Sequence, residues 1–156
     1  MAEPTVAEQY KANSLQAEML LLDFKVTEYA NKNIVEQFRD RKFIKNFIQI
    51  RNREITRIRN SNPETLLAEA ITEHRKNREE EILGTQKAME NGEFTDNQYA
   101  LDEIAEIEAE LKLSDEELGL LLTQREKDQA DYFLGEIAGK EANTISEPST
   151  MDPEGM

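Results

Sequence analysis

Residues 5–62 contain neither glycine nor proline, and nothing else in the chain limits its fold so tightly. The two residues that interrupt a helix most readily are missing from more than a third of the 156 positions. A helix that meets no breaker gains one backbone hydrogen bond for each residue it adds. Long helix is therefore the expectation for this stretch. Within it Leu15, Met19, Leu22, Val26 and Tyr29 recur at spacings of four and three, the repeat of a single helical face. Ala30, Ile34 and Phe38 continue the stripe one position out of phase. Ile44, Ile48, Ile55 and Ile58 then resume it, with Arg51 filling one turn. Such drift fits a helix whose neighbours change along its length better than a strict heptad seam. Unbroken, some 50 residues of helix span roughly 75 Å at 1.5 Å per residue; the alternative the sequence leaves open is a fold back near Asn31-Lys32-Asn33. The β-branched stretch from Phe47 to Ile58 partly alternates, as a strand does. Helix is favoured there because the four-three spacing persists and no Asn-Gly or Asp-Gly turn intervenes.

The stop comes at Asn60-Ser61-Asn62-Pro63-Glu64. Asn62 can cap a new helix with Pro63 at its first position, and Ser61 and Glu64 share capping-box spacing. Leu67, Ala70, Ile71, His74, Arg78 and Ile82 mark the inner stripe of that second helix, and Asn91-Gly92 supplies a left-handed exit. Thr95 with Gln98 opens a third helix with Ala100, Ile104, Ile107 and Leu111 on one face. Ser114 with Glu117 opens a fourth, with Leu118, Leu121, Leu122, Gln129, Tyr132, Phe133 and Ile137 inside. Beyond Gly139 periodicity is lost. The predicted fold is all-α and elongated: a long N-terminal amphipathic helix over 1–60, basic from 39, a second helix over 61–92, an acidic helical hairpin over 93–142 and a flexible, disordered-type tail over 143–156.

Charge divides the chain unevenly. Residues 39–78 carry 11 basic and 5 acidic side chains, a net +6, whereas residues 79–156 carry 5 and 22, a net −17. With no cysteine, disulfide scaffolds, thiolate metal sites and thiol catalysis are excluded. One histidine is too few for the paired Glu-x-x-His motifs of a di-metal helical bundle, and His74 lies in a charged helix with no Ser-His-Asp constellation around it. No Gly-x-Gly or phosphate-loop pattern occurs. The acidic run Glu90–Asn97 lacks the Asp-x-Asp-x-Asp-Gly order of a calcium loop and reads as a helix-loop-helix turn. The acids of 102–110 read as a solvated face, since nothing in the pattern buries a carboxylate to tune it. No enzyme activity, metal or cofactor is expected. No run approaches the ~20 apolar residues of a membrane span, and the acidic start Met1-Ala2-Glu3-Pro4 is unlike a signal peptide. A soluble protein of the cytoplasm or of a virion, without membrane contact, is the expectation.

The most informative feature is the basic middle, where Arg39, Arg41, Lys42, Lys45, Arg51, Arg53, Arg57 and Arg59 interleave with Phe43, Ile44, Phe47 and Ile48. A cationic amphipathic helix can dock on acidic protein surfaces, in cis or on a neighbouring copy. It can also neutralise nucleic-acid phosphates without reading sequence, or remain a solvated face. Protein docking is favoured over nucleic acid, because 17 net negative charges on the same molecule compete with any polyanion. The apolar stripe Leu15, Met19, Leu22, Val26, Tyr29, Ile44, Ile48 and Ile55 is expected to meet partners too, since so long a helix outreaches the shorter ones.

The opening Tyr10-Lys11-Ala12-Asn13-Ser14-Leu15-Gln16-Ala17-Glu18, the Arg-rich helix after it and the break Asn62-Pro63-Glu64-Thr65-Leu66-Leu67 give the chain a layout that resembles small helical virion or assembly proteins of tailed bacteriophages. That group includes internal (ejection) proteins, scaffolds and head-to-tail accessory subunits. The resemblance covers about residues 8–90 and carries over no functional residue. It implies a non-enzymatic structural or assembly protein that forms homo-oligomers or joins a larger protein assembly. The alternative is a nucleic-acid-associated protein using residues 39–59.

Overall fold

The computed structural model describes the backbone of residues 3–151 and the side chains of residues 3–139. Among the described residues the chain is all-helical, with no strand: α1 (Val6–Ala30), α2 (Ile34–Asn60), α3 (Pro63–Glu90), α4 (Asn97–Leu111) and α5 (Asp115–Met151). The stretch Phe47–Ile58 is helical throughout.

The single long helix expected over residues 6–60 is instead two. Asn31 and Lys32 close α1, their N–H groups donating to the Thr27 and Tyr29 carbonyls at 3.1 Å each. Asn33 opens α2 with a reciprocal cap: its side-chain oxygen accepts from the Glu36 N–H at 2.9 Å, and the Glu36 carboxylate accepts from the Asn33 N–H at 3.3 Å. Two abutting caps satisfy the backbone groups that both helix ends leave unpaired, so the reversal needs neither glycine nor proline. The turn is then fastened from the sides. The Tyr29 hydroxyl donates to the Gln37 carbonyl at 2.8 Å, and Lys32 pairs with Asp40 at 2.7 Å. The slip of the apolar stripe after Tyr29 falls at this turn.

Folding back makes α1 and α2 an antiparallel pair. Arg51 donates to both carboxylate oxygens of Glu18, at 2.8 and 3.1 Å. At the far end the Lys11 ammonium donates to the carbonyls of Arg59 and Ser61, at 2.9 and 2.8 Å, capping the C-terminus of α2. The other flank of α1 carries α5. Asn13 donates to the Thr123 carbonyl at 3.2 Å, and the Phe24 and Phe133 rings meet edge to face at 5.6 Å. Both residue numbers rise together, so α5 runs parallel to α1. A core cluster gathers Tyr10, Ile58 and Leu66 from α1, α2 and α3, with Leu15, Leu67, Ala70 and Leu122 against them.

The start signals at Asn62 and Ser114 lie where the sequence places them. Asn62 accepts from the N–H groups of Glu64 and Thr65 with Pro63 in the first turn. Ser114 and Glu117 form the reciprocal box that opens α5. The start of α4 differs by one position. Asp96 rather than Thr95 caps it, accepting from the Gln98 N–H at 2.9 Å, because an ionised carboxylate is a stronger acceptor at a helix N-terminus than a hydroxyl. Gly92 leaves α3 with φ 70°, a left-handed turn that a glycine enters without strain.

The hairpin expected within residues 93–142 is also re-partnered, because α4 packs chiefly on α3 and α5 chiefly on α1. Ala100, Ile104 and Ile107 are the buried face of α4. On α5, Leu118, Thr123, Ala130 and Ile137 turn inward, whereas Tyr132 and Gln129, expected inside, are exposed. Thr123, Ala130 and Ile137 recur every seven residues on one side of α5, which leaves Tyr132 on the other side of the helix. Of the tail expected over 143–156, the backbone of 143–151 continues α5, and residues 152–156 lie outside the described residues.

Candidate docking surface on the second helix

Once α1 is packed on one side of α2, the opposite side keeps its large apolar residues in solvent. Ile34, Val35, Phe38, Phe43 and Ile50 are 83%, 76%, 66%, 62% and 51% exposed. Ile34, Phe38, Arg41 and Lys45 follow one another at spacings of four, three and four, one line along the helix. Phe43, Phe47 and Ile50 form a second line on the other side of the helix, nearly half a turn round from the first, with the Phe43 and Phe47 rings 6.1 Å apart. The Arg41 guanidinium stacks over the Phe38 ring at 4.3 Å, which holds a cation against an exposed aromatic face.

The eight cations singled out in the sequence separate into two groups. Arg51 is half-buried between Glu18 and the Phe47 ring. Arg57 is bound to Glu54, and Arg39 to Asp40 at 3.1 Å with Glu36 at 3.9 Å. Arg59 is exposed and reaches Met19 Sδ at 3.7 Å. These pairings explain the depressed carboxyls nearby. Hydrogen bonds from Arg39 and then Lys32 hold Asp40 down at about 2, and the hydrogen bond from Arg57 lowers Glu54. Arg41, Lys42, Lys45 and Arg53 are exposed and make no ion pair among the described residues. They form the uncompensated positive charge of the face.

The apolar stripe is used differently from the expectation. Ile44 and Ile55 are buried between α1 and α2, and Leu15, Leu22, Tyr29 and Ile48 are half-buried. Once α2 folds back on α1, most of the stripe covers itself. Met19 and Val26 remain exposed, lining a shallow groove of about 380 Å³ with Leu22, Ile55 and Arg59. The surplus apolar surface has thus moved to Ile34, Val35, Phe38, Phe43 and Ile50. Of these, Ile34 and Phe38 stand one position out of phase with the stripe, and that phase error was the signal available in the sequence; Val35, Phe43 and Ile50 carried no such signal.

A second charged cluster ties three helices together. Glu110 of α4 accepts from His74 and from Arg78 at 2.9 Å, both on α3, and from Arg125 of α5 at 3.2 Å. Burial raises its carboxyl, but the hydrogen bonds from Arg78, His74 and Arg125 outweigh this and hold it at about 2. Next to it Arg75 donates to the carbonyls of Leu111 and Leu113 at 3.3 and 3.1 Å, capping the end of α4, and pairs with Asp115 at 2.6 Å. With the Arg78 and Arg125 guanidiniums on it, Glu110 is set to anchor rather than to exchange protons near neutrality. Glu126 on α5 is the opposite case: burial, and the charge of Glu18 facing it from α1, push its carboxyl up. Among the described residues no group of three or more His, Asp or Glu side chains is placed to hold a metal ion, and no helix is long and apolar enough to cross a membrane.

The chain matches no protein-family model, no curated protein and no solved structure.

Proposed function

We propose that this protein is a non-enzymatic assembly subunit that associates with copies of itself, and with larger protein partners, through the exposed face of α2. One observation carries the reading: five large apolar side chains stand in solvent on one helix, interleaved with Arg41, Lys42, Lys45 and Arg53. Apolar surface rimmed by charge marks interaction sites in soluble proteins, as Ile34, Val35 and Phe38 stand beside Arg41 and Lys42 at the start of α2, and aromatic and Arg residues are the side chains that anchor such sites. The acidic surface of the same chain supplies the complementary charge that steers association. The layout shared with small virion and assembly proteins of tailed bacteriophages suggests the class of structure it would serve.

Sedimentation velocity over the micromolar range tests this. Concentration-dependent self-association, weakened by Phe38→Glu with Phe43→Glu at exposed positions, is the expected result. The basic face also favours a second reading, nucleic-acid association. Titration with duplex and single-stranded DNA and RNA at about 50 mM salt, where phosphate contacts are strongest, separates the two. A monomer at every concentration would refute the assembly reading, and salt-sensitive binding in the titration would then support the second.

A further inference from the structure

The two ends of α1 differ in a way that matters for how copies would join. At its C-terminal end the turn into α2 presents a knob of Ile34, Val35 and Phe38, three large apolar side chains that stand mostly in solvent. Arg41, Lys42 and Lys45 follow directly behind it. At the N-terminal end, α1, α3 and α5 form an open apolar groove of about 590 Å³, lined by Val6, Leu67 and Ile71 with the exposed Leu120 at its edge. Its rim is acidic, with Glu64, Asp115 and Glu116. Arg75 is the cation on this rim, and it is already committed to Asp115 and to two backbone carbonyls. Gly119 keeps the floor open to a neighbour's side chains, since it adds no Cβ there.

We infer that the knob at the α1–α2 turn of one copy seats in the groove between α1, α3 and α5 of the next, joining copies head to tail. This rests on the assembly reading above and names its partner as a second copy of this chain. Both surfaces are apolar at the centre and opposite in charge at the edge, the arrangement that steers and orients docking. They cannot meet within one molecule. The 25 residues of α1 separate them by roughly 37 Å at 1.5 Å per residue. Because the joined surfaces are different, the contact is heterologous and propagates into a ring or an open filament rather than closing as a two-fold dimer.

Two variants with substitutions at exposed positions test the geometry, with circular dichroism confirming that each remains helical. Ile34→Asp with Phe38→Asp disables the knob, and Ala68→Glu with Leu120→Glu disables the groove. Each alone should lose self-association by roughly 30-fold or more, the loss expected for buried anchors. Mixed one to one, each variant still carries the surface the other needs. The mixture should give a discrete dimer of twice the 18.0 kDa chain mass and nothing longer. If the wild type associates but either variant associates equally well, or the mixture yields no dimer, the knob-and-groove contact is wrong while the assembly reading stands. A wild type that stays monomeric at all concentrations overturns both.

Discussion

Replacing Glu110 by Gln removes the charge on which His74, Arg78 and Arg125 converge. The carboxyl lies at about 2 against an ordinary 4.5. At 1.36 kcal/mol for each tenfold change that difference sets a ceiling of about 3 kcal/mol. Glu110 itself is well covered, with a side chain 13% exposed, but Arg125 is 44% exposed, and water reaching it screens part of the interaction. A loss of about 2 kcal/mol in Glu110→Gln near neutral pH is the resulting expectation. The sign with pH follows from the direction of the shift. A carboxyl lowered on folding contributes fully above the ordinary 4.5 and loses its contribution as pH falls toward about 2. Urea denaturation of both proteins across this window should show a gap at neutrality that narrows in acid, because Gln does not titrate. Hydrogen exchange should also quicken along α4, which Glu110 holds to α3 and α5. Equal stability at neutrality, or a gap independent of pH, would refute this account of the cluster.

Glu126→Gln should act in the opposite direction. Burial and Glu18 push the Glu126 carboxyl up, so its ionised form opposes folding at neutral pH and the opposition fades below the ordinary carboxyl range. The variant should melt above the wild type at pH 7 and together with it in acid. Asn33→Ala removes the side-chain half of the cap that opens α2. It should cost about 1 kcal/mol and speed hydrogen exchange at residues 34–37 more than elsewhere, as read by mass spectrometry of peptides spanning the turn.

The helical class and most helix boundaries are legible in single residues. Asn62-Pro63, Ser114 with Glu117, and Gly92 are local signals whose chemistry acts within one turn, and the inner stripes of α3 and α4 follow from periodicity alone. The reversal at residues 31–33 was legible too, in the Asn33-Glu36 capping spacing and the slipped stripe, but the lack of glycine and proline pointed the other way. A glycine-free reversal works here because the backbone N–H groups of Asn31 and Lys32 close α1 while the Asn33 side chain opens α2. Partner choice was not legible. The capture of Glu110 by side chains from α3 and α5, and the pairing of α4 with α3 rather than α5, depend on residues 15 to 36 positions apart. Nothing in local spacing encodes such distances. The inward turn of Thr123 and Ala130 was hidden for a related reason, since a hydroxyl that donates to its own helix at the Gly119 carbonyl and a lone methyl add little to an apolar pattern.

The lengthwise pairing of α1 with α5 has a consequence for how the protein comes to be made. Asn13 meets Thr123 across 110 residues of chain, so a ribosome must finish and release most of the polypeptide before that flank of the first helix is covered. Local hairpins can form early, but this seam closes last, which gives an all-helical protein the slow, long-range final step more typical of sheets. Until then a nascent chain carries an uncovered flank that chaperones or neighbouring nascent copies can bind.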